Sequence, residues 1–165
     1  MYSPVPGYRP TMRIRKTAMH RLSMDAGATL LAAVWVGMLI GVSFLATPVK
    51  FRAATLDLAH ALDVGRVTFG LFSRIEWGLA AALILFVAGM GFPFWRTALL
   101  ATILAILVIQ GVWLLPALND RVATIIAGET LAPSYHHLAY AAGEATKVFT
   151  LIAFAISGMA ALSRI

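Results

Sequence analysis

The sequence contains no cysteine, which excludes disulfide bonds, thiolate zinc sites and iron–sulfur clusters. Charged residues are also scarce. They make up 12% of the 165 residues, while hydrophobic residues make up 61%, whereas soluble domains have about 25% charged and about 45–50% apolar residues. A soluble globular domain is therefore excluded. A glycine-rich phosphate loop and a His-Glu-x-x-His zinc helix are absent as well, so neither of these motifs assigns an enzyme class.

Four long apolar segments predict an all-α integral membrane protein, an antiparallel bundle of four transmembrane helices within residues 26–165. About 20 apolar residues in a helix suffice to cross ~30 Å of hydrocarbon. The predicted spans cover residues 28–47, 66–92, 97–117 and 135–161. Pro48 is predicted to end the first span, and a loop with one or two helical turns is predicted after Pro116.

Residues 51–64 separate the first two spans and mix apolar with charged side chains. Their apolar residues fall on one broad side of a helix, which is typical of helices that lie on a membrane surface. We therefore predict an amphipathic helix between spans one and two, ended by Gly65.

Basic residues predict the orientation. Five of the thirteen lysines and arginines lie in the first 21 residues, ahead of the first apolar run. Such an excess marks the cytoplasmic side of a membrane protein. We predict a bacterial inner-membrane protein with both termini cytoplasmic, a disordered basic tail over residues 1–25, and the lipid bilayer rather than nucleic acid as its partner.

The fourth span carries polar residues on one side. Within its first half they fall in a sector of about 100° when successive residues are placed about 100° apart. Ionisable groups at membrane depth usually face the bundle interior and have partners. In the third span, Gln110 is predicted to hydrogen-bond between helices. The polar residues of the fourth span are His136, His137, Tyr140, Glu144 and Lys147.

The partners are predicted in the second span, where Arg74 and Glu76 lie at about the same depth as Glu144. A buried cluster of Arg74, Glu76, Glu144 and Lys147 follows. It either fixes the helix register alone or handles a ligand, ion or proton. The polar residues predicted around it, toward the outer surface, are His60, Asp63, Arg66, His136, His137 and Tyr140.

A stripe of small residues follows one side of the first span: Ala33, Gly37 and Gly41. Small residues let helix backbones approach closely. The stripe predicts packing inside the bundle or, alternatively, a face for a second copy of the chain or another membrane partner.

Several segments resemble a group of small bacterial four-span membrane proteins without assigned function. The resemblance covers roughly residues 30–151. The residues that carry it include Trp35-Val-Gly37, Phe44-Leu-Ala-Thr-Pro48-Val-Lys-Phe51, Asp63-Val-Gly-Arg66, Glu76-Trp77 and Leu115-Pro116.

More distantly, the layout around the first span resembles the superfamily of CopD-like copper-resistance proteins and HemJ-type protoporphyrinogen oxidases. That resemblance implies a haem or copper site. The HemJ-type oxidases use a histidine ahead of the first-span tryptophan, and the histidine ahead of Trp35 here is His20. Under this resemblance, His136 or His137 would be an axial haem ligand. Apart from the resemblance, Met19, His20 and Met24 are residue types that suit a soft copper site.

Besides a role as a subunit or assembly factor of a membrane complex, which the stripe at Gly37 and Gly41 permits, two functions remain open from the sequence. The first is a non-enzymatic inner-membrane protein, structural or handling a small ligand or ion, with no cofactor and no metal site. The alternative is a haem- or metal-dependent membrane oxidoreductase. The colour of the purified protein distinguishes them, because haem has a Soret band.

Overall fold

The computed structural model describes residues 10–163, with side chains from residue 19 onward, and this part of the chain contains helices and turns without a strand. The elements in chain order are α1 (Pro10–Leu39), a first π-helical segment (Ile40–Ala46), α2 (Thr47–Lys50), α3 (Leu58–Gly89), α4 (Phe94–Ile109), a second π-helical segment (Gln110–Leu114), α5 (Leu115–Ile126) and α6 (His136–Leu162). Each π-helical segment continues directly into the helix that follows it.

Four of the helical stretches are long and apolar enough to cross a membrane, as the sequence predicts. Their most apolar windows have mean hydropathies between 1.7 and 2.5. We call them the first to fourth long helices: Met19–Lys50, Leu58–Gly89, Phe94–Ile126 and His136–Leu162.

The two prolines that were expected to end helices do not end them. Proline lacks an amide hydrogen, and its ring clashes with the carbonyl four residues earlier in an α-helix. Each proline follows a π-helical segment, in which the hydrogen bonds reach back five residues. The N–H of Thr47 binds the carbonyl of Val42, just before Pro48, and the N–H of Leu115 binds the carbonyl of Gln110, just before Pro116. The helix therefore continues to Lys50 in one case and to Ile126 in the other.

The amphipathic helix predicted over residues 51–64 is wrong. Residues 51–57 form turns, and residues 58–64 are the first turns of the second long helix. Asp57 is the N-cap, because its side chain accepts a 2.8 Å hydrogen bond from the backbone N–H of His60. This hydrogen bond lowers the pKa of the Asp57 carboxyl. Gly65 continues the helix, and the Lys50 side chain occupies the space beside it.

The prediction of a disordered tail over residues 1–25 differs from the structure, which is helical from residue 10 onward. Residues 10–25 belong to α1. Residues 1–9 lie outside the described residues.

The first long helix packs through a face opposite to the predicted stripe. Ala28, Ala32, Trp35 and Leu39 are fully buried on it. Ala33 and Gly37 are exposed instead, because Gly37 lies two residues, or about 200°, from Trp35. A Cβ atom added at Gly37 or Gly41 would meet nothing within 4 Å. The prediction that this stripe packs inside the bundle is therefore wrong. The alternative, that the stripe contacts a second copy of the chain or another membrane partner, stays a prediction.

The close approach of helices occurs at Gly158 instead. A Cβ atom there would collide with the Thr29 hydroxyl and lie 2.8 Å from Nη2 of Arg96. We expect Gly158→Ala to lower the free energy of unfolding by about 1–3 kcal/mol, the usual cost of overpacking a tight core. Gly37→Ala, the matched control, should cause no loss. Thermal unfolding in mild detergent measures both, and equal effects of the two changes would contradict this packing.

Candidate functional site

A buried ion cluster joins the second and fourth long helices. Nζ of Lys147 lies 2.5 Å from Oε1 of Glu76 and 2.8 Å from Oε1 of Glu144. All three side chains are at most 1% exposed. The structure thus brings together three of the four residues of the predicted charge cluster.

The first long helix contributes a donor to this cluster. Nε1 of Trp35 donates a 3.1 Å hydrogen bond to Oε1 of Glu76. The Trp35 side chain is completely buried, so its N–H needs a partner inside the bundle. Glu76 supplies that partner and holds the inward face of the first long helix against the second.

Both π-helical segments contribute donors to Glu144. Oγ of Ser43, in the first segment, donates a 2.6 Å hydrogen bond to Oε2. Nε2 of Gln110, in the second segment, donates one of 3.0 Å to Oε1 and one of 3.1 Å to the carbonyl of Tyr140. π-Helical turns occur often at functional sites, and here they complete a network that includes all four long helices. We call Trp35, Ser43, Glu76, Gln110, Glu144 and Lys147 the buried network.

The sequence indicated Glu76, Glu144, Lys147 and the interhelical role of Gln110, but it missed Trp35 and Ser43. Neither residue is ionisable, so the rarity of charge that marks Glu76, Glu144 and Lys147 does not mark these two. The available signal was the prolines, because Ser43 lies five residues before Pro48 and Gln110 six residues before Pro116.

Arg74 does not belong to the network. It is exposed, because two residues of helix place it about 200° from Glu76. Arg66 and Asp63 pair with each other within one helix, with their side chains 42% and 45% exposed. His60 pairs with Asp57, also at the surface. All five of these polar residues therefore lie outside the buried network.

The polar residues at the start of the fourth long helix have separate surroundings. The His136 ring packs edge-on against Trp113, with centroids 6.2 Å apart. Tyr140 is buried and packs in the same way against Phe69, at 5.3 Å. His137 is exposed and, like Tyr140, borders a cavity.

That cavity lies at one end of the bundle, where the first and third long helices end and the second and fourth begin. Its volume is about 270 Å³, and we call it the Lys50 cavity. Tyr140, one helical turn before Glu144, connects it to the buried network. Its lining residues are Thr47, Lys50, Phe51, Leu62, Gly65, Arg66, Phe69, Leu115, Leu118, Asn119, Arg121, Val122, Ile125, Ser134, His137 and Tyr140.

Another ion pair, which the sequence did not indicate, lies at the other end of the helices. Nη2 of Arg96 is 2.9 Å from Oδ1 of Asp25. The guanidinium also lies over the Phe154 ring, 4.9 Å from its centroid. The Arg96 side chain is only 5% exposed. It therefore ties the first, third and fourth long helices together at this end.

The histidines that a haem or copper site would use are not brought together in the described residues. Within residues 19–163, no three histidine, aspartate or glutamate side chains converge on one point. His20 lies at the end of the bundle where Asp25 pairs with Arg96. His136 lies at the other end, 22 residues before Gly158 on the fourth helix, and this separation is about 33 Å along the helix axis. His20 is exposed, and Met24 packs against Gly89.

The sequence model of one family, described as a domain of unknown function (DUF4149), matches residues 30–125. The chain belongs to this family. The match includes Trp35, Ser43, Glu76 and Gln110, so four residues of the buried network lie in the matched part of this DUF4149 protein. Comparison with curated proteins and with solved structures finds no match. Nothing in these comparisons supports the resemblance to CopD-like and HemJ-type proteins.

Proposed function

We propose that this DUF4149 protein is a non-enzymatic, multi-pass membrane protein that binds a small ligand in the Lys50 cavity. The observation that carries the proposal is the position of this cavity, which is lined by all four long helices next to a buried charge network. Ligand sites in helical bundles commonly lie between the helices, with a few polar groups in an apolar lining.

The buried network has a structural role in this proposal. It contains two carboxylates and one ammonium group, and donors from the first and third helices bind the carboxylates. Hydrogen bonds between buried polar groups favour one helix register over others. Fixing that register also fixes the helix ends that surround the cavity.

The proposed arrangement in the bilayer is antiparallel. Asp25 near the start of the first helix meets Arg96 near the start of the third, and Gly158 near the end of the fourth lies close to Thr29 of the first. The Lys50 cavity gathers the opposite helix ends. Consecutive helices that alternate in direction satisfy both sets of contacts.

The basic residues support the orientation. The excess near the N-terminus favours a cytoplasmic location for the Arg96 end and for both termini, and the resemblance to small bacterial four-span proteins supports the bacterial inner membrane. The Lys50 cavity would then open on the periplasmic side. The cytoplasmic end carries the Arg96–Asp25 ion pair.

Cysteine labelling tests the proposal, because the natural chain contains no cysteine. Ser134 borders the cavity, so Ser134→Cys should react with a membrane-impermeant thiol reagent added to cells whose outer membrane has been permeabilised. Ser163→Cys, beyond the end of the fourth helix, should react only after the inner membrane is opened as well. The orientation predicts this difference in the order of labelling.

A buried control distinguishes access to the cavity from general loosening of the bundle. Ala80 is only 1% exposed, so Ala80→Cys should stay unmodified under both conditions. Labelling of Ser163→Cys before Ser134→Cys would contradict the orientation. Failure of Ser134→Cys to react in the purified, folded protein would contradict an accessible ligand cavity.

A further inference from the structure

The charge and the lining of the Lys50 cavity define a ligand class. We propose that it binds an amphipathic anion, meaning a phosphate or carboxylate head group attached to an apolar chain. This inference rests on the proposed function, since it assumes that the cavity is the ligand site.

Positive charge dominates the cavity lining. Lys50, Arg66 and Arg121 come from three different long helices, and the lining contains no aspartate or glutamate. Three cations that converge on one space repel one another unless an anion lies between them. Basic pockets between membrane helices bind anionic lipid head groups by this complementarity.

Two of these cations keep donors for a ligand. Within residues 19–163, Lys50 forms no ion pair with a carboxylate, and its ammonium group lies 5.1 Å from the centroid of the Phe51 ring. Arg121 donates one hydrogen bond of 2.6 Å, from Nη2 to the carbonyl of Ala132. A guanidinium has several further N–H donors in a planar fork that suits phosphate and carboxylate. Arg66 is already paired with Asp63 and adds long-range attraction only.

The rest of the lining is suited to an apolar chain. Phe69 lies farther from the start of its helix than Arg66 does, and Leu115 lies farther from the end of its helix than Arg121 does. The cavity thus combines a basic entrance with an apolar interior. The aliphatic and aromatic lining residues are Phe51, Leu62, Phe69, Leu115, Leu118, Val122, Ile125 and Tyr140.

The volume limits how much of the ligand lies inside. A cavity of about 270 Å³ equals roughly nine water molecules at ~30 Å³ each. It can hold a head group and the first part of a chain, but not a whole phospholipid. The remainder of the chain would extend between the helices into the bilayer. The charges of Lys50 and Arg121 disfavour a metal cation, and a neutral lipid would give neither of them an anionic partner.

Protection of a single cysteine tests this inference. The Ser134→Cys variant is reconstituted in phosphatidylcholine nanodiscs, and the rate of thiol modification is measured without any addition. The rate is then measured with phosphatidylglycerol in the disc, with added laurate, with added dodecanol and with inorganic phosphate. A ligand at about ten times its dissociation constant should slow modification about tenfold. We expect that slowing with phosphatidylglycerol or laurate, and none with dodecanol or phosphate.

Charge variants in the Ser134→Cys background identify the groups responsible. Lys50→Gln and Arg121→Gln should each abolish most of the protection, whereas Arg52→Gln, an exposed neighbour outside the lining, should keep it. Thermal unfolding checks that each variant is folded. If one of the two lining variants does not fold, the other still decides the result.

The outcomes separate this inference from the proposed function. Protection by phosphatidylglycerol alone identifies a membrane lipid, and protection by laurate alone identifies a free fatty carboxylate; both support the inference. Equal protection by dodecanol overturns the role of charge, and protection by phosphate alone overturns the role of the chain. Rapid modification unaffected by any addition overturns the inference and leaves the proposed cavity accessible, whereas an unreactive Ser134→Cys contradicts the proposed function itself.

Discussion

Lys147→Met should lower the free energy of unfolding by about 3–5 kcal/mol, the range for breaking a buried ion pair by removing one partner. Methionine is also unbranched and fills much of the same space, so the loss reports charge more than volume. Without the ammonium group, Glu76 and Glu144 are two neighbouring carboxylates, each about 1% exposed. Chemical or thermal unfolding in mild detergent measures the change.

Arg74→Met is the matched control for this prediction. It removes the same charge from a neighbouring helix, but Arg74 is exposed, and surface changes usually alter stability by less than about 0.5 kcal/mol. Similar losses for the two variants would show that removing any positive charge destabilises the protein. The buried network would then have no special part in holding the helices together.

Trp35→Ala is the second change with a large expected effect. Emptying a buried tryptophan site costs about 3–5 kcal/mol in water-soluble cores. In a bundle surrounded by lipid the loss comes from packing contacts rather than from hydration, so we expect the lower end, about 3 kcal/mol. The lost hydrogen bond to Glu76 adds to this loss, and Trp35→Phe should retain most of the packing while losing that bond.

Trp95→Ala provides the comparison, since Trp95 is 61% exposed at the start of the third long helix. It should change the unfolding temperature little. A loss for Trp95→Ala that equals the loss for Trp35→Ala would mean that tryptophan content, rather than the buried position beside Glu76, determines stability.

Much of the helical layout could be predicted from the sequence because it depends on local properties. The length of the apolar runs identifies four helices, and the rarity of charge in them makes Glu76, Glu144 and Lys147 conspicuous. Counting residues inward from each predicted helix start placed Glu76 and Glu144 at a similar depth. This estimate of depth placed Glu76 near the fourth helix although the second helix begins at Leu58 rather than near residue 66. The error was tolerated because Glu76 needed only to be within reach of the long Lys147 side chain.

The helix ends were mispredicted where proline was read as a stop. Proline interrupts α-helical hydrogen bonds, but a preceding π-helical turn changes which carbonyl must be satisfied. Pro48 and Pro116 both use that solution, and the turns place Ser43 and Gln110 toward Glu144. Propensity alone does not indicate this, since proline is read as a helix breaker whether or not a π-helical turn precedes it.

The inward faces were mispredicted where two faces of a helix looked equally suitable. The stripe at Gly37 and the face at Trp35 are both free of charge, and small residues favoured the wrong one. Glu76 decides the question, because the Trp35 N–H can be satisfied only when that face turns inward. Arg74 was misplaced for a related reason, since its depth matched the cluster but its direction from the helix axis did not.

A double-mutant cycle between Glu76→Gln and Lys147→Met tests most directly whether the buried network joins the second and fourth helices. Each single change should destabilise the protein, and the double variant should recover part of the loss because it removes a complete pair of charges. We expect a coupling energy of about 1–3 kcal/mol. Losses that add to within about 0.5 kcal/mol would contradict it, because they would mean that these two side chains do not meet in the folded protein.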